Sequence, residues 1–227
     1  MWKRGCILAV AVFGLGGCKV GTDGMVSHFT NFITAPYATS QGIYTLSLLG
    51  GAVNVRGPDG YCVDQTASNA RSGFAVLVGC ALLSGSAGVM PKLDGLITVQ
   101  FGAENTASVT NNENVFVEFL KTDAGLGLLV GSGDLAHVSQ VSTITNRAGV
   151  LVRFQDTSSP TFAGTVGPQW RGFLDINGRL VTISVLSFER VTLSRAEGER
   201  LLVMAMAELA EANVEIAVAE ASSKDNG

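Results

Sequence analysis

Hydrophobic and polar residues alternate along several stretches in the middle and the second half of the chain. Leu96–Phe101 and Gly149–Asp156 alternate with a period of two, which is typical of strands with one buried face. Two further alternating stretches, Trp170–Ile176 and Arg179–Leu186, are separated by Asn177-Gly178, the pair that a two-residue type I′ turn prefers. The pattern therefore predicts four strands, and the last two form a β-hairpin.

Shorter apolar runs predict further strands. Val53–Val55 precedes Gly57–Gly60, a Gly-Pro-Asp-Gly turn in which proline pre-sets φ and glycine tolerates positive φ, and Tyr61–Asp64 follows as a short strand. Phe74–Leu83 is almost wholly apolar, which is expected of a strand buried on both faces. His137–Thr145 is the remaining predicted strand.

One stretch between the strands has the features of a helix. Asn111 or Asn112 can cap a helix over Glu113–Thr122, with an acidic residue at its positive end. Gly125 is expected to end this helix because glycine disfavours helical conformation.

The last long apolar pattern has helical spacing. Ser194 and Glu197 form a capping box, in which each side chain accepts a hydrogen bond from the other residue's backbone N–H. This predicts an amphipathic helix that reaches about Asn213 or beyond, and its apolar stripe consists of Leu202, Met206 and Leu209.

The N-terminal segment has the order of a bacterial export signal. Lys3 and Arg4 precede the apolar run Ile7–Phe13, which is too short to span a ~30 Å hydrocarbon core comfortably. The next residues, Leu15-Gly16-Gly17-Cys18, resemble the lipobox of bacterial lipoproteins. The resemblance implies that residues 1–17 are removed and that Cys18 becomes a diacylglycerol-modified, N-acylated terminus. An ordinary cleaved signal with an incidental cysteine is the alternative.

These features divide the chain into four parts. Residues 1–17 are the predicted signal peptide, residues 18–50 a lipidated tether rich in Gly, Thr and Ser, residues 51–220 an α+β domain, and residues 221–227 a disordered tail. Lys19 follows the lipidation site, where an aspartate would resemble the inner-membrane retention signal of many Gram-negative bacteria. We therefore expect a lipid-anchored envelope protein on the periplasmic face of the outer membrane rather than at the inner membrane.

Composition and charge narrow the class of protein. With 47% hydrophobic and 15% charged residues, the chain is globular. Removal of Lys3 and Arg4 with the signal leaves 13 basic residues against 19 acidic ones, a net charge of −6. This balance disfavours nucleic acid as a partner, because nucleic-acid binding needs clustered positive charge.

Two cysteines remain once Cys6 is lost with the signal and Cys18 is lipidated. In an oxidising periplasm Cys62 and Cys80 are expected to pair, which stabilises the fold by about 3 kcal/mol in the chain-entropy model. Free buried thiols are the alternative. A zinc site is not expected, because the whole chain offers only two histidines as further ligands of the usual type.

The predicted elements are four strands, a helix, four strands and a long helix. This order indicates an α+β fold, an antiparallel β-sheet flanked by helices and ending in a C-terminal amphipathic helix. The order and the closing hairpin-to-helix segment, Trp170–Asn213, are distantly similar to the PsbP-like α/β/α sandwich over about Ala52–Asn213. The resemblance implies a central sheet between helices and a binding or assembly role, and it carries over no site residue.

Candidate chemical groups are sparse. His137 could act as a base beside Asp134, although a solvated or satisfied histidine is the simpler interpretation. Asp59, Asp64 and Arg71 flank the expected disulfide loop, where a solvated turn is the simpler interpretation. No catalytic residue is therefore assigned.

The glycine-rich stretch Gly125–Gly131 looks superficially like a dinucleotide-binding loop. Such a loop needs a strand before it and a helix after it, and here a predicted helix precedes it. The sequence also contains no Walker-type loop and no G-x-S-x-G elbow. It therefore assigns no cofactor-binding and no metal-binding residue.

Three functions remain. The leading hypothesis is a non-catalytic interaction or assembly module that binds another envelope protein, because a lipid anchor gives weak contacts avidity at a surface. The alternative is a carrier of a lipid or small molecule, which requires a mostly apolar cavity between the sheet and the C-terminal helix. A hydrolase with an unusual residue set is the third.

Overall fold

The computed structural model describes residues 42–84, 90–130 and 133–224, with side chains described as far as residue 214. The predicted signal peptide, Cys18, most of the predicted tether and the last three residues of the predicted tail lie outside the described residues.

Nine strands and four α-helices make up the described part of the chain. The strands are β1 (Thr45–Leu48), β2 (Val53–Arg56), β3 (Tyr61–Asn69), β4 (Phe74–Gly79), β5 (Gly95–Phe101), β6 (Val138–Asn146), β7 (Gly149–Asp156), β8 (Thr165–Ile176) and β9 (Arg179–Phe188). The helices are α1 (Cys80–Ser84), α2 (Glu113–Phe119), α3 (Asp123–Gly127) and α4 (Arg195–Lys224). Seven strands form one antiparallel sheet in the order β3-β4-β5-β9-β8-β7-β6, and β1 and β2 form a separate hairpin.

The hairpin predicted at Asn177-Gly178 is present. Ile176 pairs with Arg179, and the two turn residues have φ angles of 49° and 72°, the positive values that a type I′ turn requires. This hairpin, β8–β9, provides the two central strands on which both helical layers pack.

One face of the sheet, called the α4 face, is covered by α4 and the β1–β2 hairpin. The predicted apolar stripe of α4 is confirmed, because Leu202, Met206 and Leu209 are fully buried against the sheet. The helix lies close to the strands, since a Cβ on Gly172 of β8 would meet the sulfur of Met206 at 2.7 Å.

The opposite face, called the α2 face, is covered by the three short helices. Around α2 and α3 the core contains Phe116, Leu120, Val150, Val152, Phe154 and Phe173. Around α1 it contains Cys62, Val76, Val78, Cys80, Leu83 and Leu186. Helices therefore cover both faces of an antiparallel sheet, which confirms the α+β class and gives the layers that the PsbP-like resemblance implies.

The β1–β2 hairpin is held to α4 by a buried amide. The side chain of Asn213 accepts a hydrogen bond from Asn54 N–H at 2.9 Å and donates one to the Asn54 carbonyl at 2.8 Å, as a neighbouring strand would. Arg56 adds an ion pair with Glu208 at 3.0 Å. Leu48 of β1 is fully buried, so the folded part of the chain begins before residue 51, where we expected the domain to start.

Two sequence predictions of element boundaries are wrong. The apolar run Phe74–Leu83 is a strand only as far as Gly79 and continues as helix α1, because an apolar run alone does not distinguish the two. The helix predicted over Glu113–Thr122 ends at Phe119, and a second helix, α3, begins at Asp123, with Thr122 capping it through its hydroxyl. Gly125 therefore lies inside α3 and does not end a helix.

Helix α4 continues beyond Asn213, in agreement with the predicted pattern. It begins after the Ser194 capping box, in which Glu197 N–H donates to Ser194 Oγ at 3.3 Å and Ser194 N–H to Glu197 Oε2 at 2.9 Å. It continues to Lys224, into the stretch where a disordered tail was expected. None of the helices in the described ranges is long and apolar enough to cross a membrane.

Candidate functional site

Cys62 and Cys80 form a disulfide in the structure, with an S–S distance of 1.99 Å, which agrees with the expected pairing. Their positions differ from the prediction of two neighbouring strands. Cys62 lies on β3, whereas Cys80 is the first residue of α1 and donates its N–H to the Gly60 carbonyl at 2.8 Å. Both cysteines are buried, so the bond ties α1 to the sheet from within.

The three charged residues that flank the disulfide loop do not converge. Asp59 and Arg71 are exposed in separate turns, whereas Asp64 is fully buried. One Asp64 oxygen accepts hydrogen bonds from Thr66 N–H, Thr66 Oγ1 and Ala67 N–H at 2.8, 2.7 and 3.2 Å. These bonds close the irregularity in β3, so Asp64 has a structural role.

His137 lies at the end of a short 3₁₀ turn that Asp134 caps. Its Nε2 is 3.7 Å from Asp134 Oδ2, and its Nδ1 is 3.1 Å from Thr157 Oγ1. Both partners of the pair are solvent-exposed, with 41% and 62% of their side-chain surface accessible. The pair therefore lacks the desolvated setting in which a histidine is usually tuned as a base.

Trp170 and Arg171 point to opposite faces of β8, as their alternation predicted. On the α2 face, Arg171 Nε donates to Ser184 Oγ at 3.0 Å, another guanidinium nitrogen donates to the Leu128 carbonyl, and the group lies 5.2 Å from the Phe154 ring centroid. Desolvation lowers the pKa of Arg171 to about 10, and the charge of Asp156 acts in the opposite direction. Arg171 therefore holds α3 against the sheet.

The space between the sheet and α4 is nearly filled. A cleft of only about 10 Å³ lies there, lined among others by Arg153, Trp170, Arg195 and Glu199. Helix α4 approaches the indole closely, since a Cβ on Gly198 would lie 2.3 Å from its ring. This volume is enough for one water-sized group and far below that of a lipid or metabolite site.

Two of the residues that line this cleft carry a donor without an acceptor. Arg153 Nε and Trp170 Nε1 are buried and make no hydrogen bond with any described residue. Arg153 and Trp170 are directly opposed across β7 and β8, and Ser142 of β6 is opposite Arg153 on the other side. A buried N–H without an acceptor costs about 1–3 kcal/mol, and most buried donors in proteins are hydrogen-bonded. These two unpaired N–H groups are therefore an exception that calls for an explanation.

A larger groove lies at one end of the sheet. It has a volume of about 370 Å³ and is lined mainly by polar residues of 156–161 and 165–169, together with Leu186 and Glu189. Asp156 in its wall accepts a hydrogen bond from Ser158 N–H at 2.9 Å, which fixes the loop that follows β7. The groove is open and about half of its lining is polar, unlike the enclosed, mostly apolar cavity that a lipid carrier needs.

The outer strand β6 pairs only with β7 among the strands of the described ranges. Its nine residues include no charged residue, no proline and no glycine, and Val141 and Ile144 are 39% and 41% exposed. The edge at the other end of the sheet is different, because Ile43 bridges to Val63 there. β6 therefore presents unpaired backbone groups without the charges or prolines that usually protect an edge.

This edge and its unpaired donors are not visible in the sequence. The pattern predicts strands over His137–Thr145 and Gly149–Asp156, but strand order is needed to show that β6 is outermost. The absence of charge across Val138–Asn146 was the available signal.

Comparisons with known proteins assign no family. No family model and no curated protein matches the chain. Two solved structures have a similar arrangement, each covering 75% of this chain and 92% of its own: a point mutant of the protein Mog1, with 14% identity and a TM-score of 0.38, and the Saccharomyces cerevisiae Ran-binding protein Mog1p, with 13% identity and a TM-score of 0.38. At these values the similarity assigns neither relationship nor function to this chain.

Proposed function

We propose that the chain is a bacterial envelope lipoprotein, anchored through acyl groups on Cys18, whose α+β domain faces the periplasm and binds another envelope protein without catalysing a reaction. The proposed lipid anchor rests on the lipobox-like residues Leu15–Cys18. The observation that carries the interaction role is the uncharged, unprotected edge of β6. Edge strands of this kind pair readily with an extended segment of another chain.

The core supports an interaction module over a carrier. A carrier needs a cavity of several hundred Å³ lined by apolar side chains, and the expected place for it is beneath α4. The cleft found there is about 10 Å³. The sheet side of α4 is instead filled by Leu201, Leu202, Ala205, Met206 and Leu209, all of them buried.

The distribution of ionisable groups supports binding over hydrolysis. Asp134 and His137 are exposed, and Asp64 is used to close an irregular strand. Among the described residues, no three His, Cys, Asp or Glu side chains are grouped so that they could hold a metal ion.

The anchor is tested with a matched pair of cysteine variants. Cys18→Ser should abolish labelling with an alkyne fatty acid and release the protein from sedimented membranes. Cys6→Ser, which lies within the predicted signal peptide, should leave both measurements unchanged. Continued labelling of the Cys18→Ser protein would refute the anchor.

The interaction role is tested by crosslinking in intact envelopes with Cys18 retained. Ile144→Glu places a negative charge on the edge of β6, and Val191→Glu places the same charge on a comparably exposed residue, 47% accessible, away from that edge. A discrete crosslinked partner should be recovered with the wild type and with Val191→Glu but be lost with Ile144→Glu. Thermal melts of both variants must match the wild type. Absence of any discrete partner, together with a bound lipid in native mass spectrometry, would refute the proposal in favour of a carrier.

A further inference from the structure

We infer that the β6 edge, together with the unpaired donors beside it, binds an extended peptide segment of a partner protein that carries an acidic side chain. The inference rests on the proposed interaction role and specifies the chemistry of the partner. Its three components are the free strand edge, the two buried donors without acceptors, and the local excess of arginine.

The strand edge determines the conformation of the segment. A bulge at Gln140, where φ is 52°, interrupts the pairing of β6 with β7 between Ser139 and Ser142. The regular part of the edge is therefore Ser142–Asn146. A partner segment that adds there must be extended, and its alternate side chains must point to the α4 face and the α2 face in turn.

The cleft determines which side chain is recognised. Ser142 and Ile144 of the regular edge line this cleft, so a partner side chain that points to the α4 face from this part of the edge lies beside it. The Nε–H of Arg153 and the Nε1–H of Trp170 are buried there without acceptors. The cleft admits a single oxygen-sized group, and an oxygen that enters it lies beside the two residues whose donors are otherwise unpaired, so a small side-chain movement would let it accept from them.

The surrounding charge favours a carboxylate. Arg195 lines the cleft from the first turn of α4, and Arg147 lies in the turn that joins β6 to β7. Neither these arginines nor Arg153 form an ion pair with another described residue. Glu199 is the one acidic residue lining the cleft, so its surroundings are positive although the whole chain has a net charge of −4.

The same charges disfavour a second copy of this chain as the occupant. Two β6 strands paired about a twofold axis would bring no carboxylate to the cleft, because Val138–Asn146 contains no acidic residue. Such pairing would also bring the arginines of the two copies close together. A partner segment with an aspartate or glutamate brings a carboxylate to the cleft and adds no arginine beside it.

The test is selection of a displayed library of nine-residue peptides on the full chain, followed by affinity measurements with the enriched peptides. We expect one fixed acidic position and loss of binding on N-methylation of alternate peptide amides, the signature of strand addition. Arg195→Gln should weaken binding by about tenfold, since it removes a charge-assisted contact. Arg200→Gln, the same change on an exposed residue of α4 that does not line the cleft, should leave the affinity within about twofold.

A fluorescence measurement reports on the cleft itself. The chain has two tryptophans, Trp2 and Trp170, and Trp2 lies within the predicted signal peptide. A protein that lacks Trp2, through removal of that peptide or through Trp2→Phe, therefore emits from Trp170 alone. Binding of an enriched peptide should change this emission, and replacement of its acidic residue by the amide should reduce both the change and the affinity.

Several results would overturn the inference. These are the enrichment of no peptide, peptides without an acidic position, equal losses with Arg195→Gln and Arg200→Gln, or a concentration-dependent dimer that Ile144→Glu abolishes. If the envelope partner is still crosslinked to Ile144→Glu, the interaction role stands and this site for it is wrong. If no partner is crosslinked at all, the interaction role itself fails.

Discussion

Loss of the Cys62–Cys80 bond should destabilise the domain by about 3 kcal/mol. The two residues are 18 apart in sequence, and the chain-entropy model gives about 3 kcal/mol for closing a loop of this length. For a domain of this size, 1 kcal/mol shifts the melting temperature by about 2–4 °C, so the expected decrease is about 6–12 °C. Because both side chains are almost completely buried, the reduced thiols stay packed and the decrease reflects the lost crosslink.

The assay compares thermal melts of the oxidised and reduced wild type with those of the double variant Cys62→Ala and Cys80→Ala. Reduction is performed during reversible unfolding, because a buried bond is shielded in the native state, and alkylation with mass spectrometry confirms it. Reductant should lower the melting temperature of the wild type and leave the double variant unchanged. A fully reduced wild type with an unshifted melting temperature would refute the chain-entropy reasoning.

Three further predictions concern side chains whose neighbours are defined. Gly125→Ala should destabilise by about 1–3 kcal/mol, since its Cβ would lie 2.1 Å from the Phe119 carbonyl oxygen, whereas Gly127→Ala, with nothing within 4 Å, should be neutral or stabilising in urea unfolding. Asn213→Ala should cost about 1–3 kcal/mol in the same assay, because it leaves the backbone groups of Asn54 unpaired. Burial raises the pKa of Tyr61 above its ordinary value, so the unfolded state loses the hydroxyl proton first and the free energy of unfolding falls above about pH 10. Tyr61→Phe should make that fall shallower in urea unfolding at a series of pH values. An unchanged slope would contradict the assignment.

Periodicity and turn chemistry predicted most of the sheet because each is a local property. Asn177-Gly178 specifies its turn with two residues, and the Ser194 capping box marks the start of α4 in the same way. The α2–α3 break involves a close backbone contact that periodicity does not reveal, because Gly125 packs directly on the backbone of Phe119 and Leu120 just before it in the chain. A glycine that permits close approach looks the same in sequence as a glycine that ends a helix.

The candidate site was hidden for a similar reason. An edge is defined by which strand has no neighbour, and strand order depends on pairings between residues distant in sequence, such as Gly95 with Ser187. The unpaired donors of Arg153 and Trp170 likewise emerge only when β7, β8 and α4 are assembled. Sequence reasoning could identify the polar and aromatic residues, but not the lack of an acceptor beside them.

The lipid anchor compensates for the weak binding that is expected of the short β6 edge. Strand addition along five residues buries little surface, so the isolated affinity for a peptide is expected to be weak. Confinement of both proteins to one membrane raises their effective concentration and can increase occupancy by a factor of about 10²–10⁴ without any new contact. Cys18→Ser should therefore leave the affinity of the domain for a selected peptide unchanged while it strongly reduces crosslinking to the partner in envelopes. Equal crosslinking with and without the anchor would mean that the domain binds tightly by itself, through a surface larger than this edge.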